Sequence, residues 1–369
     1  MSRPPALALV WRGAGVLAAC LALVSCATPP PDLAPVPAPT PEVGRAALPS
    51  HPVPAAADET SPRGARGRVI GRSDRLLLYA PADGDSLEGV AARFLGQASL
   101  AWSLSEANLG ARMAPGQPWV VPLEPLNPLG VHSGRVQTVP ILCYHRFGPS
   151  ATKMVMPPSS FEAQLRWLAD NGYRVVPLAA VEAFLAGRAG LPERSVVITI
   201  DDGYESVYRH AFPLLKRFGF PATLFVYTDF VGGGDALTWG QMQEMQASGL
   251  VDIQSHSKSH RNLVERIAGE SDERYRQAIE TELRVPRETL ERRLPGAKVR
   301  HLAYPYGDAN EAVIDTAGRQ GVVLAATVSP GGNPFFANPL LLRRTMIFGD
   351  LSLDGFKAKL QTSRDWSVP

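Results

Sequence analysis

The stretch SVVITIDDG, residues 195–203, decides how the chain is read. Residues 196–200 are apolar or β-branched in succession, the pattern of a strand buried on both faces of a parallel sheet. The strand runs into two adjacent carboxylates, Asp201 and Asp202, and then Gly203. In α/β folds, ligands and catalysis collect at the carboxyl ends of strands. Two neighbouring acids in such a place repel unless a proton, a cation or a metal neutralises one of them. The rest of the chain must provide what faces this pair.

Working outward, strand-like and helix-like segments alternate. Residues 139–145 read as a strand ending at His145. Ser160 reads as the cap of an amphipathic helix with Phe161, Leu165 and Leu168 on one face. Further strands are expected at 174–176, 222–227, 251–254 and 300–304, and helices at 178–186, 208–218 and 239–248. This alternation predicts an α/β fold, either a parallel barrel or an open doubly wound sheet.

The strand at 251–254 leads into SHSKSH, with His256 and His260 four apart. On a helical turn that spacing puts both imidazoles on one face, which suits zinc. One carboxylate and two histidines from two strand ends make a three-ligand set with a fourth position open, as a catalytic metal requires. A third strand ends in Ala303-Tyr304-Pro305-Tyr306-Gly307.

Together TIDDGY, SHSKSH and AYPYG resemble the ordered motifs of the polysaccharide deacetylase family, also called carbohydrate esterase family 4 or the NodB-homology domain. The resemblance implies a distorted (β/α) barrel over residues 138–362. It implies that Asp202, His256 and His260 bind a divalent metal, with Zn2+ preferred, and that Asp201 is the general base. It further implies a backbone N–H near Gly203 and Tyr204 for the oxyanion, and a sugar-binding wall of Tyr304, Pro305 and Tyr306. Two departures from the family pattern matter. No histidine follows His301, so the usual late acid is missing. The opening CYHRF instead resembles the subgroup acting on poly-β-1,6-N-acetylglucosamine, which assigns the acid to His145. The arginine usual in the third motif is also absent, and Arg344 in LLLRRTMIF is its substitute, with Arg343 as rival. Cys143 reads as an inert buried thiol, and His210 and His301 as structural.

Upstream, Arg3 and Arg12 precede an apolar run too short to span a bilayer. It ends Leu23-Val24-Ser25-Cys26, which resembles a bacterial lipoprotein signal, residues 1–26, with lipidation at Cys26. Ala27 follows the cysteine, which favours the outer membrane and a periplasmic location. Residues 27–72 are dense in Pro and Ala and read as a semi-rigid spacer. Residues 74–124, with GDSLEGVAARF, Glu106-Ala107-Asn108 and GQPWVVP, resemble the βααβ LysM module, which binds N-acetylglucosamine-containing glycans. A linker, 125–137, leads to the large domain.

A formal net charge of +2 gives no reason to expect a nucleic-acid partner, and three cysteines at 20, 26 and 143 cannot build a disulfide framework. The combined expectation is a monomeric, metal-dependent enzyme removing N-acetyl groups from a GlcNAc-containing polysaccharide. The LysM-like module points to peptidoglycan, and the YH opening to poly-N-acetylglucosamine or another exopolysaccharide. The contrasting expectation is a glycan-binding envelope lipoprotein with a degenerate catalytic domain.

Overall fold

The computed structural model describes residues 64–365; the signal-like segment, Cys26 and the tract up to residue 63 lie outside the described residues. The first elements are β1 (Arg68–Arg72), β2 (Leu76–Ala80), α1 (Leu87–Leu95), α2 (Ala101–Ala107) and β3 (Trp119–Pro122). The strands form one antiparallel sheet in the order β1-β2-β3. Strand β1 falls where the sequence reading had the spacer. Its side chains are mostly exposed, so no apolar pattern marks it, and backbone pairing with β2 supplies its order. Ser86 caps α1 by accepting from Gly89 N at 3.0 Å. Asp85 accepts from Gly67 N, Ala82 N and the Tyr79 hydroxyl, which ties the loop to the sheet. Leu77, Tyr79, Val90, Leu104, Trp119 and Val121 form the core of this module.

The larger part carries β4 (Val139–Tyr144), α3 (Pro158–Asp170), α4 (Leu178–Leu185), β5 (Ser195–Ile200), α5 (Phe212–Phe218), β6 (Ala222–Val226), α6 (Trp239–Ala247), β7 (Val251–Ser255), α7 (Asp272–Arg293), β8 (His301–Ala303), α8 (Glu311–Arg319) and β9 (Leu324–Ala326). Each strand from β4 to β9 pairs in parallel with the next. Residues 342–346 then close the curl. Leu342 bridges Ala326 of β9 in parallel, and Thr345 and Met346 pair in parallel with Leu142 and Cys143 of β4. Of the two architectures left open by the sequence, this is the distorted barrel.

Strand parity sorts the side chains. Val196, Ile198 and Ile200 of β5 pack outward under the helices with Leu142 and Tyr144 of β4. Val197 packs on the other face with Val139, Ile141, Phe225 and Leu342. All six residues of β5 are buried, and each such Val or Ile contributes about 1.5–3 kcal/mol. Both faces are apolar, so register and position are fixed up to the last residue before Asp201.

Two local expectations are corrected. Helix α3 starts at Pro158 with Pro157 in the cap position, so Ser160 lies within the first turn; proline's fixed φ suits that position. The expected helix at 208–218 splits into a π-helical segment, Val207–Ala211, and α5, with Pro213 at the junction, where its ring cannot continue the hydrogen-bond ladder.

Candidate active site

The register of β5 against β4 builds the first half of the site. Ile200 pairs with Tyr144, so the next residues, Asp201 and His145, lie side by side. Asp201 N donates to the Tyr144 carbonyl at 2.9 Å. The Asp201 carboxylate is 2% exposed and faces Arg344, which is 0% exposed. Arg344 Nη1 donates to Oδ1 at 2.7 Å and Nη2 to Oδ2 at 2.8 Å, a bidentate fork. Its Nε donates to the Thr327 carbonyl at 2.9 Å, and the Phe225 ring lies 5.5 Å from the guanidinium carbon. Arg343 is exposed and donates to the Pro330 carbonyl instead. Adjacent residues of an extended segment point to opposite sides, so only one of the two arginines can reach the interior.

Burial alone would push the Asp201 carboxyl up. The Arg344 guanidinium, and after it His256, outweigh burial and hold it well below the usual carboxylate range. Burial would lower Arg344 in the same way, but Asp201 outweighs it and keeps the guanidinium charged.

Cys143, expected to be an inert core thiol, has its Sγ 3.4 Å from Asp201 Oδ2 and donates to it. Burial pushes this thiol well above its ordinary value. Cys143 and His145 are two apart on one strand and so share a face, and the ligand-type atoms of Cys143, His145 and Asp201 all lie within 4.8 Å of one another. That parity was the available signal for Cys143.

The second half of the site is built on turns. Asp202 (φ 74°) and Gly203 (φ 91°) both take left-handed backbone, which swings the second carboxylate away from the first. A Cβ at Gly203 would stand 2.9 Å from the Val226 side chain, so the turn requires glycine. His256 follows β7 with its N–H on the Val226 carbonyl. Its Nδ1 lies 2.7 Å from the Ala303 carbonyl, which makes Nδ1 the donor and leaves the Nε2 lone pair for a ligand. Residues 256–260 are not a helical turn, as the spacing had suggested. Ser257 (φ 71°) and His260 (φ 61°) are left-handed, and this backbone brings the second imidazole back to the first.

Asp202 Oδ1 lies 3.3 Å from His260 Nε2 and 3.6 Å from His256 Nε2. Ligands of a tetrahedral zinc, at their usual bond lengths, stand about 3.3 Å apart. The trio therefore fits such an ion. Burial, opposed by Asp201 and Asp202, lowers the His256 pKa and favours the neutral form that ligation needs. The Cys143–His145–Asp201 cluster does not fit as well, because its carboxylate is committed to Arg344 and its thiol stays protonated.

Of the expected sugar wall, only Tyr306 faces solvent, 60% exposed, with its ring 4.9 Å from that of His260. Tyr304 is corrected: it is fully buried among Tyr275, Ile279 and Leu283 of α7, and its hydroxyl donates to the Leu340 carbonyl at 3.0 Å. Pro305 is buried as well. The chain turns at the end of β8, so these two side chains point into the core and not toward the opening. Gly203 N donates to the Asp201 carbonyl at 3.0 Å, which leaves the Tyr204 N–H as the uncommitted donor of the expected pair among the described residues. The Tyr204 ring lies 4.0 Å beneath the Arg146 guanidinium. His301 is buried 3.7 Å from Asp252, and His210 sits in the π-helical segment, both away from the site. A separate cleft of about 650 Å³, lined by Trp102, Glu106, Leu123 and Leu191, lies at the opposite end of β5 and holds none of these groups.

A parallel barrel that sets an arginine-held carboxylate beside a three-donor cluster has the parts a metal-assisted hydrolase needs: a fixed carboxylate and an open-sided ligand set. Comparison with known proteins agrees. The family profile "Polysaccharide deacetylase" matches residues 188–325. The chain is 31% identical to IcaB from Ammonifex degensii, covering 61% of this chain and 97% of that structure with a TM-score of 0.55. It is 25% identical to the Streptococcus pyogenes deacetylase PplD, solved with acetate, covering 61% of this chain and 98% of that one with a TM-score of 0.55. It is also 28% identical, over 246 residues, to the poly-beta-1,6-N-acetyl-D-glucosamine N-deacetylase of Escherichia coli (strain K12), but spans only 36% of that protein. The chain belongs to the polysaccharide deacetylase family, whose members use a divalent metal.

Proposed function

We propose that this protein removes N-acetyl groups from a β-1,6-linked N-acetylglucosamine polymer. The observation that carries the reading is the Asp201 carboxylate, held in a bidentate fork by buried Arg344 and flanked by His145 on one side and the Asp202–His256–His260 trio on the other. The early position of His145, on the end of β4, and the likeness to IcaB and to the Escherichia coli enzyme favour this polymer over peptidoglycan.

Asp202, His256 and His260 are the residues that would hold Zn2+. A divalent cation there supplies Lewis acidity, which acidifies water and polarises the acetamide carbonyl. Asp201 accepts a proton from the attacking water as its oxygen bonds to the carbonyl carbon. Arg344 keeps that carboxylate ionised and aimed. The Tyr204 N–H donates to the developing oxyanion. His145 delivers a proton to the amide nitrogen as the C–N bond breaks, giving acetate and a free amine. Tyr306 offers an aromatic face to the pyranose ring beside the site.

In the same reading the module built from β1 to β3 is a LysM-type unit that holds GlcNAc-containing glycan. Cys26 carries the lipid that retains the monomeric protein at the periplasmic face of the outer membrane. The decisive experiment measures acetate release from poly-β-1,6-N-acetylglucosamine oligomers and from peptidoglycan, using protein loaded with zinc. Release from the first alone is expected. Release from peptidoglycan alone would overturn the substrate assignment, and release from neither by folded, metal-loaded protein would overturn the enzymatic reading.

A further inference from the structure

The five backbone N–H groups of residues 256–260 can be accounted for one by one. His256 N donates to Val226 O at 2.8 Å, Ser257 N to Ser255 Oγ at 3.2 Å, and His260 N to Ser257 Oγ at 3.0 Å. The remaining two converge on a single carboxylate from another element. Lys258 N and Ser259 N donate to Glu282 Oε2 at 3.0 and 2.9 Å, and Ser259 Oγ donates to Glu282 Oε1 at 2.7 Å. Glu282 belongs to α7, is 7% exposed, and makes no ion pair closer than 4.0 Å among the described residues. The nearby Lys258 ammonium is turned to Asp229, 2.6 Å away. A buried carboxylate is expensive unless hydrogen-bonded, and here its partners are the loop between the two histidines.

This loop has to be held. Ser257 and His260 occupy left-handed backbone, which costs a non-glycine residue about 1–3 kcal/mol each. Relaxation of either would carry the His260 imidazole away from Asp202, now 3.3 Å distant. We infer that Glu282 is a positioning residue for the metal centre: it clamps residues 258 and 259 so that His256 and His260 converge on one point before any ion arrives. The inference rests on the reading of Asp202, His256 and His260 as metal ligands. Glu282 touches neither ligand nor substrate and acts through the backbone of the loop.

The test compares Glu282→Gln and Ser259→Ala with the unaltered full chain. Glutamine keeps the size but puts an amide N–H₂ against backbone donors, and Ser259→Ala removes a single hydrogen bond on the surface side. Zinc affinity is read by competition with a chromogenic chelator, and thermal unfolding is measured on the metal-free proteins. Outer partners of metal ligands typically change affinity by about 10–100-fold. We expect a loss of that size for Glu282→Gln and a smaller loss, of a few fold, for Ser259→Ala, with metal-free melting temperatures close to that of the unaltered protein. Unchanged zinc affinity in folded Glu282→Gln would overturn the inference, as would losses in both variants that merely track a lower metal-free melting temperature. A control separates this from failure of the ligand reading: if His256→Ala also retained zinc affinity, the metal assignment itself would fall.

Discussion

The two halves of the site are made by different means. Asp201, His145, Cys143 and Arg344 come from regular extended backbone, and their meeting follows from strand parity and register. Asp202, His256, His260 and Tyr306 depend on irregular backbone. Five non-glycine residues have left-handed φ among the described residues, and four of them, Asp202, Ser257, His260 and Tyr306, lie in this second half. Proton handling needs a carboxylate with a fixed direction, and buried strands provide that. Ligation needs side chains from separate strand ends to converge on one point, and the chain reaches that point only through strained turns.

The sharpest way to break this contrast is to remove one functional side chain from each half. His256→Ala or Asp202→Ala should abolish both bound metal and acetate release. Asp201→Asn should keep the metal while release falls about 10²–10⁴-fold, the usual worth of a general base. Metal content by atomic spectroscopy beside acetate release decides it; loss of metal from Asp201→Asn would merge the two halves into one.

Arg344→Met comes next. With the guanidinium gone, burial dominates and the Asp201 pKa rises. The acid limb of the kcat/KM profile should then move to higher pH, whereas in the unaltered enzyme Asp201 stays ionised well into acid. The stability linkage has the same origin. Because the folded-state pKa is depressed, Asp201 stabilises the fold at pH above its unfolded value of about 3.9, and this contribution is lost as pH falls through the lower folded value. Breaking a buried pair from one side typically costs about 3–5 kcal/mol, so a lower melting temperature at neutral pH is also expected. An unmoved acid limb would mean that Arg344 has no part in tuning the base.

The smallest effects should come from the margins. Cys143→Ser offers a stronger donor to Oδ2 and should change kcat by less than about tenfold, since one neutral donor is exchanged for another, not removed, and the fork remains. Tyr306→Ala should raise KM for the polymer several-fold with little change in kcat, as loss of an aromatic–sugar contact of about 1 kcal/mol would do. A fall in kcat alone would move Tyr306 from the sugar wall into the reacting centre.

The same contrast explains what could be read from the chain before folding. The strand at 195–200 declared itself because burial on both faces leaves an unbroken apolar run, and the acids after it followed. Arg344 was legible as a candidate only because the motif arginine was missing; its burial in the closing strand was not. Tyr304 was misplaced because a motif records neighbours in sequence and not the turn that sends one tyrosine inward and the other out. The histidine spacing suited a helical turn equally well, and only the left-handed residues at 257 and 260 distinguish the actual loop. Glu282 was invisible because its partners lie 23 and 24 residues away. A backbone-to-carboxylate clamp leaves no pattern in either segment alone.

The strand that closes the barrel has a consequence for timing. Asp201 and the arginine that holds it are separated by 143 residues, with every parallel strand from β6 to β9 between them. A chain emerging during synthesis carries its two acids and both histidines long before residue 344 follows. Until that strand pairs with β4, Asp201 lacks the guanidinium that contributes most against its burial, which favours the neutral form over the ionised one. Under the proposed mechanism, competence to attack polysaccharide therefore arrives last, on completion of the ring, and a chain clipped in the loops before residue 342 would be left without it.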